Sequence, residues 1–148
     1  MKLKPILNVL GALLFLIGIT MLVPIFISIL YRENDTMGFI YSSLICTSTG
    51  APIWLLTRNN KSLSNKIGFA IVTFSWVIAA LAGALPFYLT GAIPNFTDAF
   101  FESVSGITTT GSTVISKLDN LSEGILLWRS LLQWFGGIGI IVLAIAIL

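Results

Sequence analysis

Four stretches of this chain carry no charged residue: Pro5–Leu30, Met37–Thr57, Ile67–Thr90 and Ser130–Leu148. A bilayer core is crossed by about 20 apolar residues in helical form, so each run is a candidate span. Bulk composition supports that reading. Hydrophobic residues make up 56% of the chain and charged residues 9%, against about 25% charged in soluble domains, and mean hydropathy is +0.99. Such a chain has too few polar groups to cover a water-facing surface. The expected fold class is therefore an all-α integral membrane protein. With no His and one Cys, a disulfide framework and a Cys/His zinc set are both excluded. Cys46 lies in an apolar stretch and reads as a small buried filler. No nucleophile–base pair or metal set is present, so an enzyme is the weakest functional class. No cofactor and no nucleic-acid partner are expected.

Met1-Lys-Leu-Lys-Pro before an apolar run has the look of a signal peptide. The run to Leu30 is too long for such a core, and no small-x-small site closes it before Arg32. A retained helix is expected. Pro24, Pro52 and Pro86 fall inside or near the ends of spans, where neighbouring groups can satisfy the carbonyls they free.

Charge sets an expected orientation. The N-terminal tail and the loop after the second span hold Lys2, Lys4, Arg58, Lys61 and Lys66 and no acidic residue. All six acids (Glu33, Asp35, Asp98, Glu102, Asp119 and Glu123) fall on the opposite side, with Arg32, Lys117 and Arg129. Short basic loops stay cytoplasmic, so the N-terminus is expected in the cytoplasm. One missed or extra span would have scrambled this division. Trp54, Trp76, Trp128 and Trp134 serve either as interfacial anchors or in helix packing.

One segment breaks the spanning pattern. Residues 95–107 start like a helix: Asn95 can cap it, and Asp98 suits its first turn. Gly106 and then Thr108-Thr109-Thr110-Gly111 would end it. Such a helix rises only about 20 Å, too little to cross, so it is expected to enter the membrane and stop. The following loop, Thr108–Thr113, is rich in hydroxyls and lies where irregular backbone survives only inside protein or beside water. Its carbonyls and hydroxyls could replace the hydration shell of a small cation. Gly111 permits a backbone turn that a Cβ would obstruct. The helix C-terminus, partially negative, would favour a cation in front of it. Asp98 and Glu102, one turn apart, could draw cations to an outer mouth. The competing reading is an external hydroxyl-rich turn between two helices.

The last helix opens with Trp128-Arg129 and continues through Gln133-Trp134-Phe135-Gly136-Gly137-Ile138-Gly139. Its glycines read as close helix contacts rather than ligands. Arg129 repels cations, so it reads as a structural partner of Glu102 or of loop carbonyls.

The run Thr97-Asp98-Ala99-Phe100-Phe101-Glu102-Ser103, then Gly106-Ile107-Thr108-Thr109-Thr110-Gly111, and the run from Gln133 to Ala144 resemble the membrane subunit of the bacterial Trk potassium uptake system. That is the TrkH-like branch of the Trk/Ktr/HKT superfamily. Gly83-Ala84-Leu85-Pro86-Phe87 is similar to the family's first outer helix, and the opening helices to its extra N-terminal pair. The resemblance implies a helix pair over residues 1–66 and one pore unit over 67–148. In that unit the outer helix spans 67–90, the pore helix 95–107, the filter loop 108–113 and the inner helix 125–148. It further implies K+ as the transported ion, bound at Thr109 and Thr110 with Gly111 in the filter. Thr108, Ser112, Asp98, Glu102 and Arg129 would support the filter or line its mouth. Family members carry four such units in one chain, pair as homodimers, sit in the bacterial inner membrane and work with a cytosolic nucleotide-binding regulatory subunit.

This sequence holds one unit, and its last apolar run reaches Leu148 with no basic flank. One unit cannot enclose an ion. The reading expected is the N-terminal piece of a longer potassium-conducting subunit. The alternatives are a homotetrameric minimal cation channel and a non-conducting membrane protein that packs beside a partner.

Overall fold

The computed structural model describes residues 3–58, 65–116 and 118–147. Lys2, Lys61, Lys117 and Leu148 lie outside the described residues, as do the side chains of Lys66 and Asp119. The described residues form six α-helices and no strand: α1 Leu3–Thr20, α2 Leu22–Leu30, α3 Thr36–Thr57, α4 Asn65–Leu89, α5 Phe96–Ile107 and α6 Glu123–Ile147. A short 3-10 turn, Leu118–Asn120, precedes α6. Four segments are long and apolar enough to cross a membrane: Leu3–Leu30, Thr36–Thr57, Ile67–Leu89 and Glu123–Ile141. Only 28% of each span's apolar window is buried within the chain, so most of their surface is turned outward.

The first run is expected as one helix and is found as two, interrupted at Met21. Pro24 has no N–H for the Thr20 carbonyl, and its ring crowds that carbonyl. Bonds from the Met21 N–H to the Ile17 carbonyl (3.3 Å) and from the Ile25 N–H to the Met21 carbonyl (3.1 Å) carry the path across the break. By contrast α3 and α4 run through Pro52 and Pro86.

Helices α1 and α3 make the most extensive pairing. Small residues allow it: a Cβ on Gly11 would come within 2.7 Å of the Trp54 nitrogen. The Ser43 hydroxyl donates to the Gly18 carbonyl at 2.7 Å, and the Asn8 amide to the Trp54 carbonyl at 3.0 Å. Where lipid supplies no hydrophobic drive between helices, close approach and such bonds hold the pair. Cys46 is buried in this part of the core.

Each charged end then gathers its own elements. Lys4 and Arg58 lie exposed where α1 begins and α3 ends. The end of α2, the starts of α3 and α6, the end of α4, and α5 meet at the other. Trp128 is fully buried there, and its indole N–H donates to the Gly83 carbonyl at 3.0 Å. Packing, not interfacial anchoring, is therefore its role, whereas Trp134 is 62% exposed.

Candidate functional site

Helix α5 starts as its sequence predicts. The Asn95 side chain accepts the Thr97 N–H at 2.9 Å, satisfying one of the free donors of the first turn. It ends in a Schellman motif. The Thr110 N–H reaches the Ser105 carbonyl and the Thr109 N–H the Gly106 carbonyl, both at 3.0 Å. The residue that takes the left-handed conformation in that motif is Thr109, at φ 57°. Glycine normally holds this place, and a β-branched residue there is a genuine outlier. Gly111 is also left-handed, at φ 78°, and a Cβ built on it would meet nothing within 4 Å. Its need for glycine is thus conformational rather than steric.

Thr108 to Val114 are exposed. Among the described residues, the backbone carbonyls of Thr108, Thr109, Thr110 and Gly111 accept no hydrogen bond. The hydroxyls of Thr108 and Thr110 bond each other at 2.8 Å, and Thr108 also donates to the Val104 carbonyl at 2.8 Å. The loop's inner side is held more firmly. The Ser105 hydroxyl donates to the Ser112 carbonyl at 2.5 Å. One oxygen of Glu102 accepts from the Thr113 hydroxyl at 2.9 Å and from the Val114 N–H at 3.1 Å. The other accepts from Arg129 Nε at 2.7 Å.

Glu102 therefore does not stand open at a mouth. It is 3% exposed, on the face of α5 turned toward α6 and the returning loop. Burying a carboxylate is unfavourable unless it is paired and hydrogen-bonded, and Arg129 with the two loop donors meets that requirement. Arg129 is thus a partner of Glu102, one of the two roles its position suggested. Asp98, half-buried in the first turn of α5, takes no part in this cluster. A cavity of about 10 Å³, barely one water, lies among Glu102, Ser105, Ser112, Arg129 and Gln133. A larger cavity of about 380 Å³ between α1, α4 and α6 is lined mainly by apolar side chains such as Leu13, Trp76 and Phe135, and it adjoins no loop hydroxyl.

Sequence reasoning missed a second cluster. Helix α2 also ends in a Schellman motif, with Arg32 left-handed at φ 56°. That turn aims Glu33 at α6, where its carboxylate accepts the N–H groups of Glu123 (2.7 Å) and Gly124 (3.2 Å). The Ser122 hydroxyl donates to Asp35 at 2.5 Å. A carboxylate suits a helix N-terminus, and these caps start α6 at Glu123 rather than at residue 125. Nothing near Glu33 in the sequence signals a role 90 residues away.

These features define a class: an all-helical, multi-span membrane protein in which a short helix and a pinned, hydroxyl-rich loop lie between two long helices. A family model described as the TrkH cation transport protein matches residues 32–148, and the chain belongs to that family. It is a family of transporters rather than enzymes. The chain is 45% identical over its whole length to the Trk system potassium uptake protein TrkH of Vibrio parahaemolyticus, of which it covers 31%. It is 47% identical to the protein of the same name from Halomonas elongata, again covering 31%. The crystal structure of the potassium transporter TrkH from Vibrio parahaemolyticus superimposes with a TM-score of 0.92 over 99% of this chain and 32% of that one. The chain thus spans about a third of the length of these relatives.

Proposed function

We propose that this chain contributes one strand of a potassium-selective pathway in the bacterial inner membrane, within a uptake system like those its relatives are named for. The observation that carries the reading is the loop itself. Four consecutive carbonyls, Thr108 to Gly111, accept no bond among the described residues and lie on an exposed face, while the opposite side is pinned by Ser105 and Glu102. Positive φ at Thr109 and Gly111 turns the chain away from an extended strand, whose carbonyls alternate in direction. Such a trace suits several oxygens facing one axis, where they can stand in for an ion's water shell. Thr109, Thr110 and Gly111 are the proposed ion ligands, with Thr108 and Ser112 flanking them and Asp98 nearer the outer rim.

One strand does not make a ring, so the pathway needs further units, supplied by the rest of a longer polypeptide. By the same family likeness we place a homodimer and a cytosolic nucleotide-binding regulator among the partners. The N-terminus lies in the cytoplasm, as the basic residues of Lys4 and Arg58's end indicate.

The test is a cysteine at Ser112 in the natural polypeptide that carries this sequence. Externally added small cationic thiol reagents should modify it, and K+ should slow the reaction while Na+ does so less. A modification rate indifferent to K+ would favour the reading in which this unit packs without conducting. In the same polypeptide Gly111→Ala should lower discrimination between K+ and Na+ in proteoliposome flux. Unchanged discrimination would remove Gly111 from the filter.

A further inference from the structure

We infer that Glu102 is a positioning residue for ion selectivity, acting as the acceptor that fixes the outer limb of the loop rather than as a charge seen by the ion. The inference rests on the proposed role of the loop and assigns what holds its geometry.

The loop has two anchors. Its near limb is tied to α5 by the Thr109 and Thr110 N–H groups and by the Ser105 hydroxyl on the Ser112 carbonyl. Its far limb is tied by Glu102, which accepts from both the Thr113 hydroxyl and the Val114 N–H. Thr113 in turn accepts the Ile115 N–H at 3.0 Å, so one carboxylate oxygen orders three successive residues. Between the anchors, the Gly111 N–H makes a long bond to the Ser105 carbonyl at 3.5 Å, and Ser112 is held through its own carbonyl. Gly111 has the widest backbone freedom of any residue type, and a Cβ there would touch nothing. Its conformation is therefore set by its anchors and not by surrounding bulk. Arg129 on α6 holds the other carboxylate oxygen at 2.7 Å, which fixes the rotamer of Glu102 and balances its charge. The cavity beside Glu102 measures about 10 Å³, room for barely one water.

This arrangement makes a specific demand on chemistry. The loop presents donors, O–H of Thr113 and N–H of Val114, so position 102 must supply an acceptor. An ion pair alone does not meet that demand. Exchanging the two residues, Glu102→Arg with Arg129→Glu, restores opposite charges but sets guanidinium donors against the loop's donors. Glu102→Leu keeps a side chain of similar size but offers the loop no acceptor at all.

The experiment measures the ratio of K+ to Na+ flux in proteoliposomes made with the natural polypeptide, its Glu102→Leu and Arg129→Gln variants and the exchanged pair. Membrane abundance and monodispersity are read separately. The expected result is a fall in the flux ratio of about tenfold or more for Glu102→Leu at near-normal abundance. Arg129→Gln, which leaves the loop's bonds to Glu102 in place, should lose less. The exchanged pair should stay as unselective as Glu102→Leu or worse. A ratio within about twofold of the unmodified protein for Glu102→Leu overturns the inference. So does recovery of the ratio by the exchanged pair, because pairing and not acceptance would then be what matters. If no position-102 variant accumulates while Arg129→Gln does and keeps its ratio, Glu102 is a folding brace and the inference also falls. An unmodified protein that passes neither ion would instead bring down the reading of the loop itself, a different failure from any of these.

Discussion

Replacing Gly136 with alanine sets a demanding test for the junction of α5 and α6. A Cβ on Gly136 would lie 2.6 Å from the carbonyl carbon and 3.1 Å from the Cα of Ile107, and closer still to its carbonyl oxygen. Comfortable carbon contacts are about 3.5–4.0 Å, so α6 would have to withdraw by about 1 Å. What it meets is backbone, locked by the Schellman turn that ends α5, and no rotamer change can relieve it. Overpacking of this kind costs about 1–3 kcal/mol, and a backbone obstacle puts Gly136→Ala at the upper end. Alanine's helix propensity returns about 1 kcal/mol, leaving a net loss of roughly 2 kcal/mol. One residue along, a Cβ on Gly137 would meet nothing within 4 Å, so Gly137→Ala should be neutral or stabilising by up to about 1 kcal/mol. Thermal unfolding of the purified protein in detergent, followed by tryptophan fluorescence and by the fraction that stays monodisperse after heating, should move in opposite directions for the two variants. Equal shifts, or a Gly136→Ala protein as stable as its parent, would refute the close crossing at Ile107.

Three other substitutions test separate parts of the structure. Thr109→Gly removes a left-handed β-branched residue, whose conformation costs about 1–2 kcal/mol; it should leave thermal stability unchanged or slightly raised while K+ flux falls, and a marked drop in stability would contradict the strain. Glu33→Gln weakens the cap on α6 and should lower stability by about 1 kcal/mol, with faster hydrogen exchange at Glu123 and Gly124; unchanged exchange there would show that the cap is not made. Trp128→Phe keeps a buried ring but loses the bond to Gly83; a cost near 1 kcal/mol is expected in the same melting assay, and no change would mean that the indole N–H is not bonded.

Much of the architecture could be read along the chain because it rests on local chemistry. Uncharged runs marked the spans, since a charge in hydrocarbon is costly wherever the chain later folds. Asn95 announced the start of α5, because a cap and the N–H it accepts lie two residues apart. Gly111 stood out as the one residue of its loop free to turn left-handed without cost. Where the reading erred, the cause was distance or backbone geometry. Pro24 interrupts the first span because a missing N–H acts one turn back, a local effect that apolarity outweighed in the reading. Gly136, Gly137 and Gly139 of α6 looked alike in sequence, yet the first faces the Ile107 carbonyl, the second open space and the third Trp76 at 3.8 Å.

By itself, then, the sequence determined which segments are helical and apolar, which ends carry which charge, and that a short capped helix leads into a hydroxyl-rich turn. These follow from periodicity, solvation and capping, whose ranges are a few residues. Only the tertiary structure decided that Glu102 is buried against Arg129, 27 residues away, that Glu33 begins a helix 90 residues away, and that Thr109 joins Gly111 in the left-handed region. A carboxylate has the same side chain whether it faces water or a loop's N–H groups. Its environment, and so its role, comes from the elements that folding brings around it.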